Sequence, residues 1–437
     1  MAKCLIGFGC SKYYLFIFGE AIFKILEFLI FSINDDNKNL FNFTPILSKH
    51  FFIRNLYKYI SFIIGALIFY FFNKNNMKKE QNSIVTKRIN ESLKLKGLIH
   101  NEEYNNVKEI SIAQFLLVCF IYFFYKESTG ILDSIFFNNL NFWICKFIFL
   151  IIFMNVYFII NIYIHQKCSI IFIITTNFIL LFISSFLPIS ENDKKNPEFN
   201  DKNSYQIVDM ITGFNFSFFF IILSFIFLSF IISYAKVKTK VFLDFYFISP
   251  YKIILNIGLI GFGFTIIGLI ISSFTKCQGK EIIINNFCIK EENNTVYYYD
   301  SIFIYLHELN SSLINEIILT LFYLIICFSE FTCEIMIINY LNPIYTLIKD
   351  NIFYLFMKII LFFCLSYLTL TQFIILGLAE ILSLLGYSVY LEIIELKFFG
   401  LDKDIRKNII RRGDKEIFHI INTPDDYYDD SSQNEND

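Results

Sequence analysis

The chain has 437 residues, 56% of them hydrophobic and only 17% charged, with a mean hydropathy of +0.55. A soluble domain carries about 25% charged residues, and here the apolar residues gather in runs of about 17 to 25, the length that crosses ~30 Å of hydrocarbon; the composition excludes an ordinary soluble globule and predicts an all-α, polytopic helical membrane protein. The net charge of −2 excludes a nucleic-acid partner, which would need a basic surface.

The 57 Phe and 27 Tyr, with abundant Ile, Asn and Lys, are what AT-rich codons encode, so Asn-rich loops and Phe-rich helices carry little functional weight. The single Trp, Trp143, leaves any interfacial aromatic belt to Tyr and Phe. Ten Cys are scattered without a CxxC or a Cys/His spacing that reads as zinc, and no metal or cofactor site is expected.

Ten spans are predicted, at 13–32, 57–72, 110–125, 142–164, 168–189, 211–233, 250–273, 314–340, 351–370 and 372–393. Nine remain if the last two form one bent helix or the second stays interfacial. Together they make a transmembrane domain over 1–395, followed by a basic amphipathic segment, 396–424, and an acidic tail, 425–437, that reads as disordered. The first span lacks a small-residue cleavage site and holds Lys24, so it reads as a retained anchor.

That first span also contains GEAIFKILE, which puts Glu20, Lys24 and Glu27 at i, i+4, i+7 along one helix stripe. Glu before Lys at this spacing is the favourable order for an intrahelical pair. A lone charge at mid-bilayer costs roughly 2.5–3.5 kcal/mol on insertion scales. Pairing Glu20 with Lys24 would leave Glu27 to face a protein interior or a watery cavity, or to be protonated.

Between the second and third spans, the loop 73–109 holds eight Lys/Arg, and the tail after 393 holds seven. Placing both in the cytosol puts both termini there and gives the cytosolic segments 22 Lys/Arg against 10 opposite, as the positive-inside rule asks. The seventh span reads GLIGFGFTIIG; Gly258, Gly261, Gly263 and Gly268 suit close helix packing or a hinge. The outer loop 274–313 then carries Cys277 and Cys288, either a disulfide or two free thiols, and glycosylation sequons at Asn293 and Asn310, with a further sequon at Asn42 in the first outer loop. Chance sequons also arise in so Asn-rich a chain.

Spans eight to ten hold the other deep ionisable residues: Glu316, Glu330 and Glu334, then Lys358, then Glu380. Spans five, six and seven are read as holding none. Asn342-Pro343 can break the helix at the end of span eight. Beyond span ten, Arg406, Lys407, Arg411 and Arg412 lie on the polar side of an amphipathic run suited to an anionic cytosolic leaflet.

The opening MAKCLIGFGCSKYY and the run EIIELKFFGLDKDIRKNI resemble the ends of a group of uncharacterised multi-pass proteins from unicellular eukaryotes. That resemblance implies no activity. Ten spans with cytosolic termini are also similar to the drug/metabolite transporter architecture, by analogy of fold alone.

The sequence leads to a transporter-like protein of a eukaryotic plasma membrane or endomembrane that moves a small solute, with possible coupling to protons. Spans one, eight, nine and ten would line the path, with Glu20, Lys24, Glu27, Glu330, Glu334, Lys358 and Glu380 as its ionisable groups. The alternatives are a receptor or sensor that uses the outer loop, and a structural, lipid-organising protein whose charges only pack. No enzyme is expected. None of the five His is mid-span, no GxSxG occurs, and the spans hold no deep Asp pair.

Overall fold

A computed structural model describes residues 14–32, 47, 50–70, 111–136, 143–158, 169–170, 173, 216–244, 248–275, 289–290, 297–298, 302–309, 313–341, 343–363, 370–391 and 393–394. Ten helices run through them. They are α1 (Tyr14–Ser32), α2 (Phe51–Tyr70), α3 (Ile112–Phe136), α4 (Trp143–Phe158), α5 (Phe216–Asp244), α6 (Pro250–Phe274), α7 (Ile302–Leu309), α8 (Leu313–Tyr340), α9 (Tyr345–Phe363) and α10 (Leu370–Tyr390). A short antiparallel hairpin pairs β1 (Ile289–Lys290) with β2 (Tyr297–Tyr298) between α6 and α7.

Among the described residues, four helical segments are long and apolar enough to cross a membrane: Phe51–Tyr70, Pro250–Phe274, Glu316–Tyr340 and Phe373–Tyr390. The chain is thus all-α with four candidate membrane spans. The count of ten crossings and the cytosolic termini go beyond this. The fifth predicted span, apart from three residues, lies outside the described residues, as do the loop 73–109, the sequons, Cys277, Cys288, the basic segment and the acidic tail.

Two compact units divide the chain: Met1–Asn141 with Ala235–Pro343, and Phe142–Tyr234 with Ile344–Asp437. In the first unit α1 runs antiparallel to α8, since Phe16 stacks on Tyr340 at 6.1 Å and Gly19 lies over Cys333. Helix α2 runs antiparallel to α6: Tyr251 stacks on Phe69 at 5.4 Å, and Gly268 faces Phe52 at the far end. Helix α3 runs parallel to α6, with Lys252 over Phe115 and Phe264 stacked on Phe123 at 5.2 Å. In the second unit α9 and α10 form an antiparallel helical hairpin, closed by Phe362 stacking on Phe373 at 4.4 Å.

Pro250 opens α6 at its first helical turn, where its missing N–H is no loss. The hydroxyls of Thr265 and Ser272 donate back to the carbonyls of Gly261 and Leu269, so they bring no unpaired donor into an apolar surrounding. One face of α6 stays exposed as Leu259, Phe264, Ile267, Ile270 and Ile271, and α8 shows a similar face through Ile317, Ile318, Leu321 and Ile325. Such apolar stripes on membrane-length helices suit contact with lipid.

Three helices depart from their predicted limits. Helix α3 continues past residue 125 to Phe136, and α5 past 233 to Asp244, while α9 begins at Tyr345 rather than 351. Each extension carries charges on which a hydropathy reading stops: Lys126 and Glu127, Lys236 and Lys240, Lys349 and Asp350. In the folded chain these charges meet partners: Lys126 and Lys236 meet Glu334, Glu127 meets Tyr59 and Asn55, Lys240 meets the Asn339 carbonyl, and Lys349 meets Asp350. The sixth predicted span, 211–233, itself carries no charge; Lys236 and Lys240 are buried just beyond it, where α5 continues past its predicted end.

Candidate functional site

The polar centre of the first unit is built around Glu334 on α8. Lys126 of α3 reaches one carboxylate oxygen at 3.2 Å, and Lys236 of α5 reaches the other at 3.3 Å. Lys126 also lies 4.7 Å from the centroid of the Phe331 ring, one turn earlier on α8, a favourable place for a cation. Tyr122, fully buried, sits close to the carboxylates of Glu334 and Glu20 and to the Thr239 hydroxyl. Lys240, one turn beyond Lys236, donates to the Asn339 carbonyl at 2.8 Å. Taking an ion out of water costs several kcal/mol, so partners of this kind are what make the burial tolerable.

One turn from Glu334 on the same face of α8, the carboxyl of Glu330 lies beside that of Glu27 on α1. Lys58 and Arg54 of α2 lie close enough to Glu27 to act on its charge, and they also act on Glu127 of α3. Glu127 accepts from the Tyr59 hydroxyl at 2.5 Å and the Asn55 amide at 2.6 Å. The ring of Tyr59 occupies the space that a side chain at Gly261 would need. A row of ionisable groups therefore runs along α8 from Glu334 through Glu330 and Glu27 to Glu127, fed by α1, α2, α3, α5 and α8.

The second unit holds its own pairs. Lys358 of α9 bonds Glu380 of α10 at 2.5 Å, and Lys349 bonds Asp350 at 2.8 Å. Tyr387 is fully buried near both Glu380 and Asp350, and its ring meets Phe147 edge-on at 5.0 Å. Ile173 sits where a side chain at Gly386 would go, and Ser169 donates to the Gly386 carbonyl at 2.5 Å. Between α4 and the start of α5 lies an apolar groove of ≈ 460 Å³ lined by Phe149, Leu223, Phe227 and Phe230.

Of the residues singled out in the sequence, Glu20, Glu27, Glu330 and Glu334 fall in the first unit's polar row, and Lys358 pairs with Glu380 in the second. Lys24 is half-buried on α1, one turn from the fully buried Glu20, and Glu316 is fully buried on α8 near Tyr305. Gly258, Gly261 and Gly268 face α2 side chains, which suits close packing, whereas nothing lies near Gly263. Pro343 occupies the turn after α8. The sequence reading passed over Lys126, Glu127, Lys236, Asn55 and Tyr59. Their signal was helical spacing: Lys236 and Lys240 stand one turn apart in a stretch where Ala235, Val237 and Thr239 are buried as well. Among the described residues no cluster of His, Cys, Asp and Glu could hold a metal ion. The chain matches no protein-family model, no curated protein and no solved structure.

Proposed function

We propose that this protein is a non-enzymatic integral membrane protein that moves protons, coupled to a small solute, and that the first unit's polar row is the proton path. The observation that carries the reading is the Glu27–Glu330 carboxyl pair one helical turn from the doubly held Glu334. Titratable groups about a turn apart inside a membrane-length bundle are expensive, and proton relays are a main use for them. In this reading Lys126 and Lys236 set the field at Glu334, and Lys58 and Arg54 set it at Glu27. Ten crossings, cytosolic termini, a eukaryotic plasma membrane or endomembrane, and anionic lipid at Arg406, Lys407, Arg411 and Arg412 complete the proposal.

A second reading is favoured by the closeness of the Lys126–Glu334–Lys236 and Lys358–Glu380 contacts. Buried ion pairs of this kind can fix helix register and nothing more, which would make the protein a structural, lipid-organising component. The receptor reading rests on an outer loop that lies largely outside the described residues.

The purified protein in liposomes, loaded with a pH-reporting dye and given an inward proton gradient, separates the readings. Proton entry above empty liposomes, lost in Glu330→Gln with normal reconstitution, supports the relay. Wild-type protein no leakier than empty liposomes under any imposed gradient or membrane potential leaves the structural reading.

A further inference from the structure

Helix α7, with the sequence IFIYLHEL, is short and two-sided. Its inner side is tied down. Tyr305 is buried, meets the ring of His50 edge-on at 5.2 Å, and comes within 3.4 Å of the Tyr57 hydroxyl on α2. Glu308 lies 3.8 Å from His50 Nε2. At the other end, the Ile302 amide donates to Ser273 Oγ in the last turn of α6, at 3.4 Å.

The outer side is apolar and open: Ile302, Phe303 and Leu306 are 38%, 66% and 51% exposed. This face does not stand alone. It adjoins the end of α6, where Ile270, Ile271 and Phe274 are exposed, and α8 begins four residues later with exposed Ile314, Ile317 and Ile318. Had α7 faced water, polar residues would be expected at 302, 303 and 306. Instead the one polar residue on the open side is His307, next to the helix end.

We propose that α7 is an interfacial helix. Its Ile302–Phe303–Leu306 face lies in the boundary between headgroups and acyl chains at the α6 end of the first unit, while Tyr305 clasps it to α2 and Glu308 to His50 just before α2. Helices with one apolar and one tethered or polar face settle at that depth, a few ångströms below the surface. The clasp fixes the α6–α8 connection against the bilayer, so the end of α8 that leads into the polar row cannot lift away from lipid. The inference rests on the membrane reading, and not on proton movement.

The protein's single tryptophan makes the test direct. In a Trp143→Phe background, Phe303→Trp reports the face; Leu306→Trp reports it independently if the first variant is poorly folded. After reconstitution, the inference expects emission shifted to the blue and quenched more by a nitroxide near the top of the lipid chain than by one at its end or by aqueous iodide. Red-shifted emission quenched by iodide overturns it, because the face is then in water. Emission shielded from both lipid nitroxides and iodide overturns it too, because protein then covers the face. Retention of each variant in membranes through alkaline carbonate extraction shows that the protein is integrated, so failure of the interfacial inference is distinguishable from failure of the membrane reading.

Discussion

At the scale of single residues, the argument turns on how Glu334 is held. Two lysines from two helices share one carboxylate, so removing either leaves a partner while removing both leaves a buried, uncompensated charge. Breaking a buried ion pair by deleting one side costs about 3–5 kcal/mol, whereas removing both sides can be neutral. The Lys126→Met/Lys236→Met double variant is therefore expected to unfold at a much lower temperature than either single variant. Adding Glu334→Gln should restore most of the loss in a thermal melt in detergent; a triple variant as unstable as the double one would show that the lysines act elsewhere. Tyr305 makes a separate prediction. Burial first, and then its contact with Tyr57, raises the pKa of its hydroxyl above the ordinary value of 10.0. A group whose pKa is raised on folding contributes stability that is whole below the unfolded value and lost as pH climbs beyond it. Melting temperature should fall as pH rises beyond about 10, and less steeply in Tyr305→Phe. Equal slopes in the two proteins would remove Tyr305 from the account.

At the scale of helices, close packing and the polar row are the same construction. Tyr59 can place its hydroxyl on Glu127 because α6 has no side chain at Gly261. Gly261→Ala should then push the Tyr59 ring aside, lower the melting temperature and break the Tyr59–Glu127 bond. Gly263→Ala, which meets nothing, should stabilise the helix by about 0.5–1 kcal/mol. Loss of stability in both variants alike would point to a need for glycine flexibility, and so to the hinge. The same helices show what the sequence made legible. Long apolar runs disclosed the helices, and single acidic residues inside them disclosed Glu20, Glu27, Glu330 and Glu334. The helix ends that carry Lys126, Glu127, Lys236 and Lys349 were not legible, because a charge in a sequence looks the same whether water or a partner helix receives it. Partners are set by packing between segments far apart in the chain, as Lys126 and Glu334 are, and no local pattern records that pairing.

At the scale of the whole molecule, helix direction links the first unit to membrane topology. Helices α3 and α6 are parallel, and α2 opposes α6. The end of α2 and the starts of α3 and α6 therefore lie toward one face, and the end of α6 toward the other. A reading with ten crossings also requires this, since it places three crossings between the third span and the seventh. Basic residues cluster in 73–109, between α2 and α3, so the positive-inside rule predicts that this face is the cytosolic one. Single cysteines in a cysteine-replaced background decide the matter. With a membrane-impermeant maleimide, Asn101→Cys and Tyr246→Cys should both stay unlabelled in intact cells and react after permeabilisation. Gly279→Cys, beyond α6, should give the reverse pattern or react from inside a lumenal compartment. If Asn101→Cys and Tyr246→Cys react from opposite faces, α3 and α6 do not cross the membrane side by side in one direction. The row from Glu334 to Glu127 could not then be a path through the bilayer. If the two share a face, α3 and α6 cross side by side in one direction, and the row from Glu334 to Glu127 keeps the transbilayer orientation that the proposed proton path requires.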